Sequence, residues 1–162
     1  MKIGDHANII KRKLAVASVR KEDDPLRFAH AIRHLGDAYC YAKQYENAEP
    51  CYVEALSIYR ANENSKPLDF ANAVRGFAAL KDETGAFDEA KELWLDAHHR
   101  YIAVDVQAGV AGTAGHLALL ALRRGDLDES REWLDKAVTA AAVSNDPEIL
   151  EFIEDVKRKI GK

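Results

Sequence analysis

The sequence is poor in the residues that break or staple a chain: 9 glycines, 4 prolines and 2 cysteines in 162 positions. So little glycine and proline excludes a collagen-like or low-complexity polypeptide. Cys40 and Cys51 form no CxxC pair and have no histidines spaced to join them, which excludes a disulfide framework or zinc finger and predicts reduced thiols in the cytoplasm. Positive charge is not in surplus either, with a net charge of -4. A nucleic-acid binder needs a basic face to neutralise phosphates, so nucleic acid is not an expected partner. No long apolar run occurs. The opening MKIGDHANIIKRK interrupts its apolar residues with charges, which predicts neither a signal peptide nor a membrane span. Its cluster of Lys2, Lys11, Arg12, Lys13, Arg20 and Lys21 reads as the solvated face of a helix. Period-two alternation flanked by turns is also missing; apolar residues recur at three and four, the spacing of helices.

What is present is a repeat. PLRFAHAIRHLG, from Pro25 to Gly36, returns as PLDFANAVRGFA, from Pro67 to Ala78, 42 residues on. A third copy follows at an offset of 40, so Gly36, Ala78 and Ala118 align, as do Ala48, Ala90 and Ser130, and Ala55, Ala97 and Ala137. Large residues alternate with these small ones: Tyr52, Trp94 and Leu134 share one position. Small facing large lets two helices approach closely, so each copy is expected to be an antiparallel helix pair. Asp24-Pro25 supplies an N-cap and a proline at the first helical position, and Pro67 repeats the device. Gly85 and Gly125 fall where a left-handed residue ends one helix, with Lys43 in the corresponding place. Pro50 falls inside a predicted helix and predicts a kink or a distorted first turn.

The pattern resembles the tetratricopeptide repeat (TPR) family in its 42-residue, kinesin light chain-like form. Leu35-Gly36 with Tyr39, then Tyr45, Ala48, Tyr52 and Ala55, and the turns around Gly85 and Gly125, carry the likeness. It implies an all-α fold, a right-handed α-solenoid of three TPR helix pairs flanked by terminal helices, eight helices in all. The expected single domain, 1–162, has an N-terminal helix over 1–21, repeats over 25–61, 67–103 and 107–143, and a capping helix over 146–160. The cap rests on the stripe Ile149, Ile153, Val156 and Ile160. A matching stripe at the N-terminus is Ile3, Ala7, Ile10, Leu14 and Ala17.

No residue set singles out a catalytic centre, so an enzyme and a cofactor are not expected. His30, His34 and Asp37 lie at helical spacing and could offer a metal two nitrogens and an oxygen, the alternative of a metal-dependent enzyme, but no fourth ligand is adjacent. Of His98-His99, one is expected to replace a core residue; Trp94 and Trp133 stand at packing positions. The resemblance implies instead a noncatalytic scaffold that binds a protein or peptide segment on the concave face of each first helix. There the free face holds His30, Arg33, His34, Asp37 and Tyr41 in the first copy. It holds Asn72, Arg75, Gly76, Ala79 and Glu83 in the second, and Gly112, His116, Leu119 and Arg123 in the third. Arg33 and Arg75, equivalent positions, predict a wall that suits an acidic partner, unless they bridge to Asp37 and Glu83. Gly109, Gly112 and Gly115 predict a late or frayed start to the third of these helices, or a smooth trough for a partner. The remaining alternative is a homodimer formed through the terminal helices.

Overall fold

The computed structural model describes residues 3–161; Lys2 and the side chain of Ile3, both invoked above, lie outside that description. Among the described residues there are eight helices and no strand. They are α1 Ile3–Ala17, α2 Pro25–Tyr41, α3 Tyr45–Ala61, α4 Pro67–Glu83, α5 Phe87–Ala103, α6 Gln107–Arg123, α7 Leu127–Ser144 and α8 Pro147–Ile160. The chain divides into two compact units, Met1–Ala86 and Phe87–Lys162. That division falls between α4 and α5, inside the stretch 67–103 expected as one pair.

In the first unit, Asp24 caps α2 by accepting from the backbone N–H of Arg27 at 3.0 Å, and Pro25 opens the helix. Pro67 opens α4 in the same way, but Lys66 before it gives no side-chain cap. Proline at this point has no N–H to leave unpaired and a φ already helical. α3 runs unbroken through Pro50, which is exposed on its second turn. The core joins Ala29, Ile32 and Leu35 of α2 to Tyr52, Leu56 and Tyr59 of α3 and Ala71, Val74 and Leu80 of α4, all buried. α1 lies on α2, but not by the expected stripe. Ala7, Ile10, Leu14 and Ala17 are exposed, and Ile9 is the buried apolar residue instead. The register is turned by one residue because α1 offers α2 a mixed face, with Arg12 and Val16 half-buried beside Ile9.

In the second unit α6 is the centre, touched by α5, α7 and α8. It is helical from Gln107, so the three glycines do not fray its start. Each lies against a side chain: a Cβ at Gly109 would stand 2.4 Å from the Tyr101 ring, one at Gly112 3.7 Å from Ile149, and one at Gly115 2.7 Å from Phe152. At Gly109 and Gly115 a ring or a helix comes down onto bare backbone, whereas a Cβ at Gly112 would make only an ordinary contact. α8 forms as its sequence dictates. Asp146 accepts from the N–H groups of Glu148 and Ile149, Pro147 follows, and Lys157, Arg158 and Lys159 complement the C-terminal end of the helix dipole. Ile153, Val156 and Ile160 are buried. Each such side chain contributes about 1.5 to 3 kcal/mol by leaving water.

Candidate partner-binding site

Helix spacing places His30, Arg33, His34, Asp37 and Tyr41 along one side of α2, but the five do different things. Arg33 is buried, 5% exposed. Its NH1 donates to Asp37 Oδ2 at 3.0 Å, and its NH2 lies 2.7 Å from His34 Nε2. His34 Nδ1 sits 3.3 Å from the same Asp37 oxygen. These neighbours favour a proton on Nδ1, given to the carboxylate, and a bare Nε2 that accepts from the guanidinium. Tyr52 of α3 donates its hydroxyl to the other carboxylate oxygen at 2.8 Å. Burial alone would push the Asp37 carboxyl up; the hydrogen bonds from His34 and Tyr52 and the charge of Arg33 outweigh it and hold the group below the ordinary carboxylate range.

This network bears on two expectations about geometry. The wall of two free arginines does not form, because Arg33 is committed within the core and bridges to Asp37. His30, His34 and Asp37 do come together, with the two Nε2 atoms 3.2 Å apart, but both Asp37 oxygens are already engaged. No cluster of three or more His, Cys, Asp or Glu with metal-binding spacing occurs among the described residues.

Arg75, the equivalent of Arg33, is exposed. Beside it α2, α4 and the start of α3 enclose a pocket of ≈ 350 Å³. Asp37, Cys40 and Tyr41 line it from α2, and Arg75, Gly76, Ala79 and Glu83 from α4. Asp37 and Ala79 occupy one repeat position, as do Tyr41 and Glu83, so both copies line the pocket with equivalent residues. The floor is the ring of Tyr52, which passes beneath α4 only because residue 76 is glycine: a Cβ there would stand 2.7 Å from Tyr52 Cε1. Tyr45 donates to Glu83 at 3.3 Å across the mouth, and Tyr41 is 80% exposed. Burial pushes the Cys40 thiol up, and that of Cys51 to about 11, so neither is a ready nucleophile. His30 turns towards Asp69 of α4, 3.7 Å away, and Asn72 on the same helix is half-buried.

The expected third-copy residues have another setting. His116 is stacked on Trp94, with ring centroids 4.2 Å apart, and lies against Phe152 of α8 at 5.0 Å. Gly112 meets Ile149, and Leu119 packs against the cluster of Ala118, Val156 and Ile160. The trough in this unit is therefore filled by the chain's own C-terminal helix. Arg123 stays exposed, 5.8 Å from the Phe87 ring centroid.

Sequence reasoning did not find the cleft of ≈ 630 Å³ between α5, α6 and α7, lined by His98, Ile102, Trp133, Lys136 and Val143 among others. Its signal was available as large apolar residues, Ile102 and Val143, on second helices where a polar surface was expected. His98 is the buried member of the histidine pair. Its Nδ1 lies 2.9 Å from Thr113 Oγ1, which itself donates to the Gly109 and Val110 carbonyls. Burial first, then the neighbouring His99, holds the His98 pKa below its ordinary value.

Comparison with known proteins adds a family match over part of the chain. The tetratricopeptide repeat model matches residues 28–64 and 110–142. Among solved structures, BtubC (BKLC) from P. vanneervenii is similar with a TM-score of 0.70 and 20% identity, over 86% of this chain and 58% of that one. This chain thus spans little more than half of that relative's length, and at such identity the likeness shows the fold alone. No curated protein sequence matches the chain.

Proposed function

Because the chain carries tetratricopeptide repeats of the kinesin light chain-like kind, folded as an all-α repeat array, we propose that it is a noncatalytic scaffold that takes a protein or peptide segment between α2 and α4. Such repeats are in general protein-interaction modules. The observation that carries the reading is the pocket itself: equivalent residues of two successive copies line it, and the Tyr52–Asp37 hydrogen bond ties α3 to α2 in its wall. Arg75, exposed and with no ion pair among the described residues, is a cation that a partner meets, with Lys43 also on the lining. An acidic side chain is the matching group, since a guanidinium fork binds a carboxylate bidentately. Tyr41 offers an aromatic face beside it. The two free cysteines suit a reducing cytoplasm. No described helix is long and apolar enough to cross a membrane.

The test is capture of partners from source-cell extract by the wild-type chain and by Arg75→Glu. Reversing this exposed charge leaves the fold intact and is expected to lose the captured protein; a variant that keeps it, at unchanged amount, overturns the assignment of the site.

A second reading, homodimer formation, is favoured by Ile10 and Leu14, 46% and 66% exposed on the outer face of α1. Sedimentation over a concentration series, with Ile10→Glu and Leu14→Glu as dissociating variants, tests it. Charging Ile153 would not, because that side chain is buried against α6.

A further inference from the structure

Where α1 lies on α2 there is a cavity of ≈ 210 Å³ that shares no lining residue with the α2–α4 pocket. Its ionisable lining is wholly basic: Arg12 from α1, and Arg27, His30 and His34 from α2. Neither Arg12 nor Arg27 has an ion pair among the described residues. His34 is committed to Arg33 and Asp37, and Ser18 at the edge donates its hydroxyl to the Ala15 carbonyl. The unspent groups are thus two guanidinium forks; the His30 imidazole beside them lies 3.2 Å from His34 through Nε2 and 3.7 Å from Asp69 through Nδ1. Arg12 and Arg27 line the cavity from two different helices, and no carboxylate is among its lining residues. The space exceeds several times the roughly 30 Å³ that a water occupies in the liquid, enough for a compact polyatomic anion with some of its hydration.

We propose that this cavity is an anion site for a tetrahedral phosphate-type oxyanion, held by Arg12 and Arg27 with His30 as a further donor. Planar guanidinium groups supply paired hydrogen bonds to such an anion, and two of them converge here without a competing carboxylate. The surroundings of His30 agree. Its pKa is held below the ordinary value by burial first, then by the charges of His34, Arg33 and Arg12, while Asp69 of α4 works against them. A bound dianion reverses that balance and favours the protonated ring.

The probes are inorganic sulfate, whose charge is constant over the range, inorganic phosphate, and a short phosphoserine peptide, each titrated into the full chain while the His30 imidazole resonances are followed. A saturable shift is expected with sulfate and phosphate, and none with chloride at equal ionic strength. Sulfate binding should tighten as the pH falls from about 7.5 to about 5.5, across the ordinary histidine range, and the His30 pKa should rise on saturation. Arg12→Gln with Arg27→Gln should weaken binding by about tenfold or more, the worth of a charge-assisted hydrogen bond, with the unfolding midpoint unchanged because neither arginine has a partner to lose. His30→Gln should keep binding and lose its pH dependence. Tighter binding of the peptide than of phosphate identifies the carrier as a phosphorylated side chain; equal or weaker binding identifies the free anion. Absence of a saturable shift with all three probes, or equal binding by the double arginine variant, overturns the site. Neither result bears on Arg75 and the α2–α4 pocket, which the capture experiment tests separately.

Discussion

One position of the repeat appears three times with three outcomes. In the first unit, Arg33 is buried and spends its charge inside the fold, while Arg75, one copy later, stands in solvent beside a pocket. In the second unit the same position is Gly115, and Phe152 and Ile153 of α8 rest where a side chain would be. The neighbouring position follows suit: Gly76 opens the pocket floor to Tyr52, whereas His116 is closed in between Trp94 and Phe152. A repeat therefore conserves the helix pair without conserving the use of its free face. One unit leaves that face open, and the other uses it to seat its own last helix.

The comparison can be broken at each of these points. The largest effect is expected from Asp37→Ala, which leaves the buried Arg33 guanidinium without its carboxylate; loss of one partner of a buried pair should cost about 3 kcal/mol in denaturant unfolding, while Asp37→Ala combined with Arg33→Met recovers most of it. Next is Gly115→Arg, which restores the arginine of the other two copies. It should expel α8 at a cost of about 2 to 3 kcal/mol from overpacking, seen as lost hydrogen-exchange protection through Ile153 and Val156. A smaller effect comes from pH. The folded state holds His98 and His30 below the unfolded value of about 6.5. Above that value neither state binds the proton; below it the unfolded chain does and the folded chain resists, so stability falls as pH drops through about 6.5 towards the folded values. His98→Gln should flatten this slope in unfolding curves measured at successive pH values. The smallest is Lys43→Gly. Lys43 has φ 57 where Gly85 and Gly125 have 81 and 80, so relieving the left-handed strain should raise stability by about 0.5 kcal/mol, net of the entropy that glycine loses.

The helices were legible because their signals are local. Pro25, Pro67, Gly85, Gly125 and the Asp146-Pro147 start act within a turn of their own position, and the 42-residue offset repeats them. The roles of the free faces were less legible because they depend on what lies across them. Arg33 and Arg75 are the same residue in the same frame, and only the surrounding contacts show that one pairs with Asp37 while the other is free. The glycines of α6 showed that something comes close, without showing that it is the Tyr101 ring and α8 rather than a partner. For α1, the apolar stripe through Ile10 and Leu14 was the natural face to bury, yet Ile9 is buried: a helix with Arg12 and Val16 flanking a second apolar position can turn either way, and periodicity alone does not choose.

The most direct test sets the open face against the closed one. With one partner captured by the wild-type chain in hand, its affinity is measured for Arg75→Glu and for Arg123→Glu, exposed charges of the first and second units. The account predicts that Arg75→Glu weakens binding by about tenfold or more, as loss of a charge-assisted contact and gain of repulsion require, and that Arg123→Glu leaves it unchanged. Loss of binding in Arg123→Glu with full affinity in Arg75→Glu would contradict it and move the site to the second unit.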